Sequence, residues 1–323
     1  MKSGRLTEAI LTRGCPELQR LHELRAVGWQ DEKLDHEFVK QRQVADSADG
    51  QLSLTWYKRM SQVMQEIDDY TQCCPGGFTS YVLRKNRYAK GVGVSLPAQE
   101  GGHALLLDYS LRSRLDLYSA DVTGYQLGPY LIDHPRLSPI PLQLRFTSFG
   151  HAFLDGHQLR TQVSDYGAPW DIHRLLLSQL ILALRIIRGG GSMVVKLSHP
   201  ERVLTAQILY MLDILSEKLV IYKPGSMHAT RGTFYAVAIG VGNGLEGVRL
   251  PQMLRGLQDL WVETTFGGEL GQGRYMTPSD LNFAITVEDL EQTYLDRLIE
   301  LGRNVWDVQA HALHRWFQKK GVI

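Results

Sequence analysis

The chain has 323 residues, 44% of them hydrophobic, and its 35 Lys and Arg against 34 Asp and Glu give a formal net charge of +1. This composition excludes a disordered chain. The near-neutral charge excludes nucleic-acid binding through bulk positive charge, while allowing a local basic patch. The odd number of cysteines, three, favours a reducing compartment. No stretch has the length of a secretory signal core or a membrane span, so we expect a cytoplasmic or nuclear protein without membrane attachment.

Helical periodicity marks both ends of the chain. In the segment 53–70, Met60, Val63, Met64 and Ile67 fall on one face of a predicted helix. In the C-terminal part, the apolar face of another predicted helix consists of Leu290, Tyr294, Leu298 and Leu301. We therefore expect helical extensions on either side of the central part of the chain.

Between residues 73 and 243, short apolar runs alternate with amphipathic stretches, and Gly and Pro separate them. The predicted strands are 91–96, 115–119, 152–154, 193–197, 219–222 and 234–241. The predicted helices between them are 78–85, 171–187 and 200–216. Alternation of this kind is typical of βαβ units, and it predicts an α/β fold with a mostly parallel sheet.

Charged side chains lie at the ends of several predicted strands. Asp121 and Asp155 each follow a strand directly, and Lys196 terminates an apolar strand. In an open α/β sheet, ligands bind at the carboxyl edge, whereas a buried lysine needs a carboxylate partner or open water. Each residue alone is more often structural, and Lys196 could simply form an ion pair that holds the strand end. The three together favour a common site.

A glycine turn, Pro75-Gly76-Gly77-Phe78, opens one predicted helix. Glycines let the backbone approach a ligand closely, and the free N–H groups at a helix N-terminus favour an anionic or carboxylate group. A glycine turn without a ligand explains the same residues equally well.

Five sequence blocks occur in an order that resembles one family: CCPGGFTSYVL, GVGVSLP, FLDGHQLR, RLLLSQLILALRIIRGGGSMVVKLS and YKPGSMHATRGTFYAVA. They resemble the FtsJ-like (RrmJ-type) methyltransferases, and most closely the fungal FtsJ-domain proteins, over about residues 56–241. The resemblance implies a Rossmann-like methyltransferase fold over 56–243, and helical patterning predicts extensions at 1–55 and 244–323. It also implies a glycine turn at 189–191 and an antiparallel strand at or near the sheet edge at 234–241.

The resemblance implies S-adenosylmethionine as the cofactor and methyl transfer that typically goes to a ribose 2′-hydroxyl. The sequence has no zinc-ligand spacing, so we expect no metal. The implied cofactor-binding residues are Pro75, Gly76, Gly77, Phe78, Ser95, Leu96, Asp121 and Val122. The implied catalytic residues are Lys58, Asp155, Lys196 and Thr233. A desolvated lysine near other cations can take the proton of a hydroxyl, and a carboxylate can hold that lysine in place.

Two features depart from the family pattern. Thr233 stands where the family usually has Glu, so the hydroxyl can form a hydrogen bond but carries no charge. The polar residues 68–72 precede the glycine turn where the family has an apolar first strand, which predicts a very short or missing strand and a damaged cofactor cradle.

Three functions stay open from the sequence. The first is methyl transfer to RNA, for which Arg160, Lys196, Lys218, Lys223 and Arg231 could form a local basic patch. The second is methyl transfer to a small-molecule hydroxyl, which the near-neutral charge and the missing Glu favour. The third is a non-catalytic relative that serves as a binding or scaffold protein, which the altered first strand favours.

Overall fold

The structure, a computed structural model, describes residues 4–31, 34, 36, 39, 50–71, 79–100, 102, 105, 107–156 and 171–323. The N-terminal helices are α1 (Arg5–Thr12), α2 (Pro16–Gln30) and α3 (Gly50–Thr71). The central elements are α4 (Thr79–Lys85), β1 (Gly91–Ser95), α5 (Tyr109–Arg112), β2 (Leu115–Ser119), α6 (Leu142–Phe146), β3 (Phe149–Leu154), α7 (Asp171–Ile186), β4 (Ile187–Ser198), α8 (Val203–Leu215), β5 (Ser216–Tyr222) and β6 (Thr233–Val241). The C-terminal helices are α9 (Leu250–Phe266), α10 (Val287–Asp289), a π-helical turn (Leu290–Tyr294) and α11 (Leu295–Lys320).

The strands of the described residues form two hydrogen-bonded groups. In the smaller group β1 and β2 run parallel, and Ser95 pairs with Ser119 at their carboxyl ends. The larger group has the order β3-β4-β6-β5, in which β3 is parallel to β4 and β6 is antiparallel to both of its neighbours. The predicted α/β fold is therefore present, and the prediction of an antiparallel strand next to the sheet edge is confirmed.

The glycines at 189–191 form part of a strand, so the prediction of a glycine turn there is wrong. Helix α7 ends at Ile186 and β4 begins at the next residue. Gly190 has a positive φ of 76°, and the pairing of β4 with β6 shifts register between Gly191 and Ser192. These glycines form an irregularity inside a long strand. Glycine's flexible backbone permits such an irregularity as readily as it permits a turn.

The helices at both ends share one hydrophobic core with the sheet. The cluster of buried side chains extends from Leu6 in α1 to Phe317 in α11 and includes the apolar face of β6. Helix α2 packs against α11, and α9 packs against α7, where the buried Trp261 indole donates to Ser178 Oγ at 3.1 Å. The division into a central domain and two extensions stays a prediction, and its first boundary, after residue 55, falls inside α3. No helix in the described part of the chain is long and apolar enough to cross a membrane.

A buried polar cluster attaches α2 to the segment that follows β4. Arg25 Nη1 donates to Glu201 Oε1 at 2.7 Å, and Arg25 Nη2 lies 3.2 Å from His199 Nδ1 and donates to Gln309 Oε1 at 3.1 Å. The Trp306 indole donates to Glu201 Oε2 at 2.9 Å. Burial alone would raise the pKa of Glu201, but the hydrogen bond with His199 and the charge of Arg25 hold that pKa far below its ordinary value. The carboxylate is therefore ionised and fully paired.

Replacing Arg25 by Met should destabilise the protein by about 3 kcal/mol, because the change leaves a buried carboxylate without its cationic partner. The matched control is Arg13→Met, since Arg13 forms an exposed ion pair with Asp296 and such pairs contribute about 0.5 kcal/mol. Urea denaturation at pH 7 measures the free energy of unfolding of both variants and of the wild type. Equal losses for the two variants would show that the cluster does not secure α2.

Candidate active site

An ion pair joins the carboxyl ends of β3 and β4. The two strands are parallel and Leu154 pairs with Val195, so Asp155 and Lys196, which come next in each strand, lie side by side. Lys196 Nζ is 3.3 Å from Asp155 Oδ1, and the side chains are 15% and 29% exposed. The pair is thus partly shielded from water and still accessible from the carboxyl edge, where ligands bind in folds of this type.

Tyr235 on β6 is the third member of this group. It pairs directly with Lys196 across the β4–β6 ladder, and its hydroxyl donates to Asp155 Oδ1 at 3.2 Å. Burial raises the pKa of Asp155, while the charge and hydrogen bond of Lys196 and the Tyr235 hydroxyl oppose that rise. Burial, and then the charge of Asp155, raise the pKa of Tyr235, so it stays a hydrogen-bond donor. The sequence analysis did not identify Tyr235 as a site residue. The available signal was its position two residues after Thr233, which puts both side chains on the same face of the strand.

Thr233 lies on the same face of the sheet as this group. It pairs with Ser198 at the start of β6, two residues before Tyr235, and side chains two residues apart in a strand point to the same side. Its carbonyl oxygen accepts a hydrogen bond from Lys223 Nζ at 2.6 Å. The structure therefore places the Thr233 side chain two cross-strand pairs farther along the β4–β6 ladder than Lys196.

Helix α3 covers this face of the sheet, but Lys58 does not join the ion pair. Val63 and Met64 of α3 belong to a buried cluster with Val194 and Tyr235 of the sheet. Lys58 is exposed on the same helix, and in the described part of the chain it forms neither a hydrogen bond nor an ion pair with Asp155 or Lys196. The structure thus brings the helix to the site without bringing its lysine into contact.

The residues predicted to bind the cofactor fall into two groups. Ser95 is the last residue of β1 and Leu96 follows it, and the Ala120 N–H donates to the Ser95 carbonyl at 2.9 Å. Asp121 follows β2, and its Oδ1 accepts hydrogen bonds from the backbone N–H and the hydroxyl of Thr123, both at 2.8 Å. Asp121 therefore caps the short 3₁₀ turn that starts at Val122 while staying exposed. The other group, Pro75, Gly76, Gly77 and Phe78, lies outside the described residues.

Helix α7 connects the two strand groups at the carboxyl edge. It packs against β3 and against the turn that follows Asp121. Its Gln179 accepts from the Gly156 N–H at 2.8 Å and donates to the Gly156 carbonyl at 3.3 Å. A Cβ at Gly156 would lie 2.7 Å from Gln179 Oε1, so a larger residue there would displace the Gln179 side chain from this contact. Gln179 thus holds the backbone that follows Asp155, a role that the sequence analysis did not assign to it.

Lys223 is buried beneath the segment that connects β5 to β6. Only 1% of it is exposed, and its Nζ donates to the carbonyl oxygens of His228, Arg231 and Thr233. Burial, assisted by the charge of Arg25, lowers the pKa of Lys223 to about 7. The prediction that Lys223 contributes to a surface basic patch is therefore wrong. Its amine instead holds together the loop that leads into Thr233.

The comparison with protein families identifies the central part of the chain. The sequence profile described as FtsJ-like methyltransferase matches residues 71–241, just over half of the chain. The chain belongs to the FtsJ-like methyltransferase family. Membership confirms the expected Rossmann-like methyltransferase fold, the enzyme class and S-adenosylmethionine as the cofactor that this family uses.

Curated relatives come from vertebrates. Cap-specific mRNA (nucleoside-2'-O-)-methyltransferase 1 of Ailuropoda melanoleuca is 28% identical over 192 residues, and that of Homo sapiens is 27% identical over 190 residues. Each match covers 54% of this chain but only 21% of the relative, so the chain spans about one fifth of those proteins. The predicted closeness to fungal proteins is not shown. A solved chain titled "Alphavirus P23pro-zbd" matches 60% of this chain and 26% of its own length, with 14% identity and a TM-score of 0.29, which is too low to support a conclusion.

Replacing Tyr235 by Phe should raise the pKa of Asp155 further, because the hydroxyl bonds to the carboxylate and favours its ionised form. Carboxyl-carbon NMR titration of Asp155 measures the change. The control is Tyr222→Phe, since the Tyr222 hydroxyl donates to Glu66 instead. An unchanged Asp155 titration in Tyr235→Phe would contradict the hydrogen bond.

Stability should rise with pH because of Lys223. The folded state releases the Lys223 proton at about pH 7, whereas the unfolded chain keeps it to its ordinary pKa of 10.5. Between these values the unfolded state binds more protons, so the free energy of unfolding increases with pH. Denaturation at pH 7 and pH 9.5 should show a smaller increase for Lys223→Met than for the control Lys218→Met, an exposed lysine on β5. The same increase in both variants would argue against a neutral buried Lys223.

Proposed function

We propose that this protein transfers a methyl group from S-adenosylmethionine to a ribose 2′-hydroxyl of RNA. The observation that carries the proposal is the Asp155–Lys196 pair with Tyr235 at the carboxyl edge of the sheet. An acid after one strand and a lysine in the neighbouring strand are the groups that methyl transfer to a hydroxyl needs. Similarity to vertebrate cap-specific mRNA 2′-O-methyltransferases supports RNA as the acceptor.

The described residues at the carboxyl edge fit the nucleoside part of the cofactor. An adenosyl group offers hydroxyl and amino donors, and the exposed Asp121 carboxylate and the backbone at Leu96 provide acceptors after β2 and β1. In this proposal Asp121, Val122, Ser95 and Leu96 would hold that part. The bound cofactor supplies a methyl group activated by its positively charged sulfur.

Lys196 and Asp155 have different roles in activating the acceptor hydroxyl. In this proposal Lys196 Nζ would take up the proton that the 2′-hydroxyl loses when it receives the methyl group. Asp155, 3.3 Å from Nζ, then stabilises the ammonium that results. Tyr235 donates to the same Asp155 oxygen and orients it toward Lys196. The proton is then held by Lys196, and the Asp155 carboxylate balances the resulting positive charge.

Thr233 and Lys58 act on the acceptor ribose in this proposal. The Thr233 side chain can form a hydrogen bond with a ribose oxygen on the face that carries Lys196, but it adds no charge. The exposed position of Lys58 on α3 leaves its long side chain able to reach a substrate that enters over this face. Both residues position the ribose, and neither is the base.

Lys196→Met should reduce methyl transfer about 10²–10⁴-fold, the range that general-base catalysis contributes, with little loss of S-adenosylmethionine binding by calorimetry. Lys196→Arg is the decisive variant, because Arg keeps the ion pair with Asp155 but cannot give up its proton. The assay quantifies 2′-O-methylnucleosides by mass spectrometry after incubation with capped and uncapped transcripts. Lys218→Met serves as the surface control.

The outcomes separate the three candidate functions. Loss of activity in both Lys196 variants supports a base at Lys196, whereas rescue by Arg would mean that the residue is structural. Methylation of a small-molecule hydroxyl but never of RNA would overturn the acceptor proposed here. An absence of cofactor binding in the wild-type protein would favour a non-catalytic binding protein.

A further inference from the structure

We infer that the protein binds single-stranded RNA on a second surface, at the sheet edge opposite the proposed methyl-transfer site. We name this surface the amino-edge patch, and it consists of Arg84, Lys85, Arg87, Tyr88, Lys90, Tyr109 and Arg112. The inference rests on the proposed function, because it takes RNA to be the substrate.

Positive charge is concentrated in two segments that lie together. Residues 79–91 contain four basic residues and no acidic ones, and residues 107–114 add two basic residues and Asp108. The two segments carry a net charge of +5, whereas the whole chain carries +1. The remainder of the molecule is therefore acidic on balance, and a polyanion would be drawn to this part of the surface.

Two tyrosines project from the patch into solvent. Tyr88 is 76% exposed and Tyr109 is 88% exposed. The Arg87 guanidinium lies over the Tyr88 ring, 4.6 Å from its centroid, and donates to its hydroxyl. Open aromatic rings among cations suit bases that stack while phosphates are neutralised, which is how single-stranded nucleic acid is bound without sequence readout. A duplex would hide its base faces, so the single strand is the favoured partner.

The base of the patch is held in a defined shape. Leu83 of α4 forms a buried cluster with Leu107 and Leu111, which brings α4 against α5. Arg84 pairs with Asp108 across this junction. Beneath it, Arg114 donates to the carbonyl oxygens of Leu83 and Asn86. A surface of fixed shape loses less conformational freedom on binding than a flexible one.

The position of the patch distinguishes it from the acceptor site. Its residues precede β1 and β2, at the amino ends of these parallel strands, whereas Leu96 and Asp121 follow their carboxyl ends. A strand of five residues spans roughly 16 Å, so one nucleotide cannot touch both edges. An RNA of several nucleotides would have to pass along the β1–β2 group. The patch therefore adds affinity for the RNA chain, independent of the nucleotide that is methylated.

Fluorescence anisotropy with a fluorescein-labelled, unstructured 20-nucleotide RNA at several salt concentrations tests the inference. The double variant Arg87→Glu/Lys90→Glu should bind at least tenfold more weakly, and the slope of log K against log salt should fall by about 1.4, since each phosphate contact on a single strand contributes about 0.7. The matched control, Arg315→Glu/Lys319→Glu on α11, makes the same change of charge at exposed positions. It should bind as the wild type does.

A second double variant separates the contribution of base stacking from that of charge. Tyr88→Ala/Tyr109→Ala should weaken RNA binding at least tenfold, because it removes two rings on which bases can stack, while the salt slope stays unchanged. Circular dichroism and melting temperature check that each variant is folded. Both tyrosines are exposed, so their removal leaves the core intact.

Each outcome bears on one proposal at a time. If the patch variants bind RNA as the control does, the patch is not an RNA surface, and 2′-O-methylation by the wild type can still stand. If RNA binding depends on the patch but no 2′-O-methylnucleoside forms, the proposed function fails and the patch remains. If the patch variants lose binding to vesicles containing 30% phosphatidylserine while RNA binding is unchanged, the surface is a membrane-binding one and the inference is overturned.

Discussion

The parallel pairing of β3 with β4 is the constraint on which the site depends. Because parallel strands end at the same edge, the residue after Leu154 and the residue after Val195 are brought together, and they are Asp155 and Lys196. The antiparallel β6 then places Tyr235 directly across from Lys196 and within reach of Asp155. Three residues that are distant in the chain therefore form one group, with a shape set by strand register rather than by loops.

Buried ionisable groups fix further parts of the structure away from the catalytic edge. Glu201 binds Arg25 of the N-terminal helices, and Lys223 holds three carbonyl oxygens of the loop before Thr233. The charge of Arg25 also acts on Lys223, so the two clusters are electrostatically connected. A buried charge without partners is costly, and these contacts therefore fix where the helices and the loop lie relative to β4 and β6. The N-terminal helices are thus part of the same structural unit as the site.

Prediction from the sequence succeeded where local pattern controls structure. The strands that contain Lys196 and Tyr235, and the strand that precedes Asp155, were located because buried strands are continuous apolar runs. The ion pair followed from the need of a buried lysine for a partner. It failed at 189–191, because glycine permits a turn and an irregular strand equally. It also placed Lys223 on the surface, because a lysine that bonds to backbone carbonyls leaves no pairing signal in the sequence.

Inspection of the amino-acid sequence was enough to identify the family, the alternation of strands and helices, and the positions of Asp121, Asp155 and Lys196 at strand ends. These properties depend on apolar periodicity and on motif order, and both are local. The folded structure was needed to show that Tyr235 bonds to the Asp155–Lys196 pair, that Gln179 binds the Gly156 backbone and that Lys58 does not contact the pair. Those facts depend on strand order, register and helix packing, which join residues far apart in the chain and which no local pattern encodes.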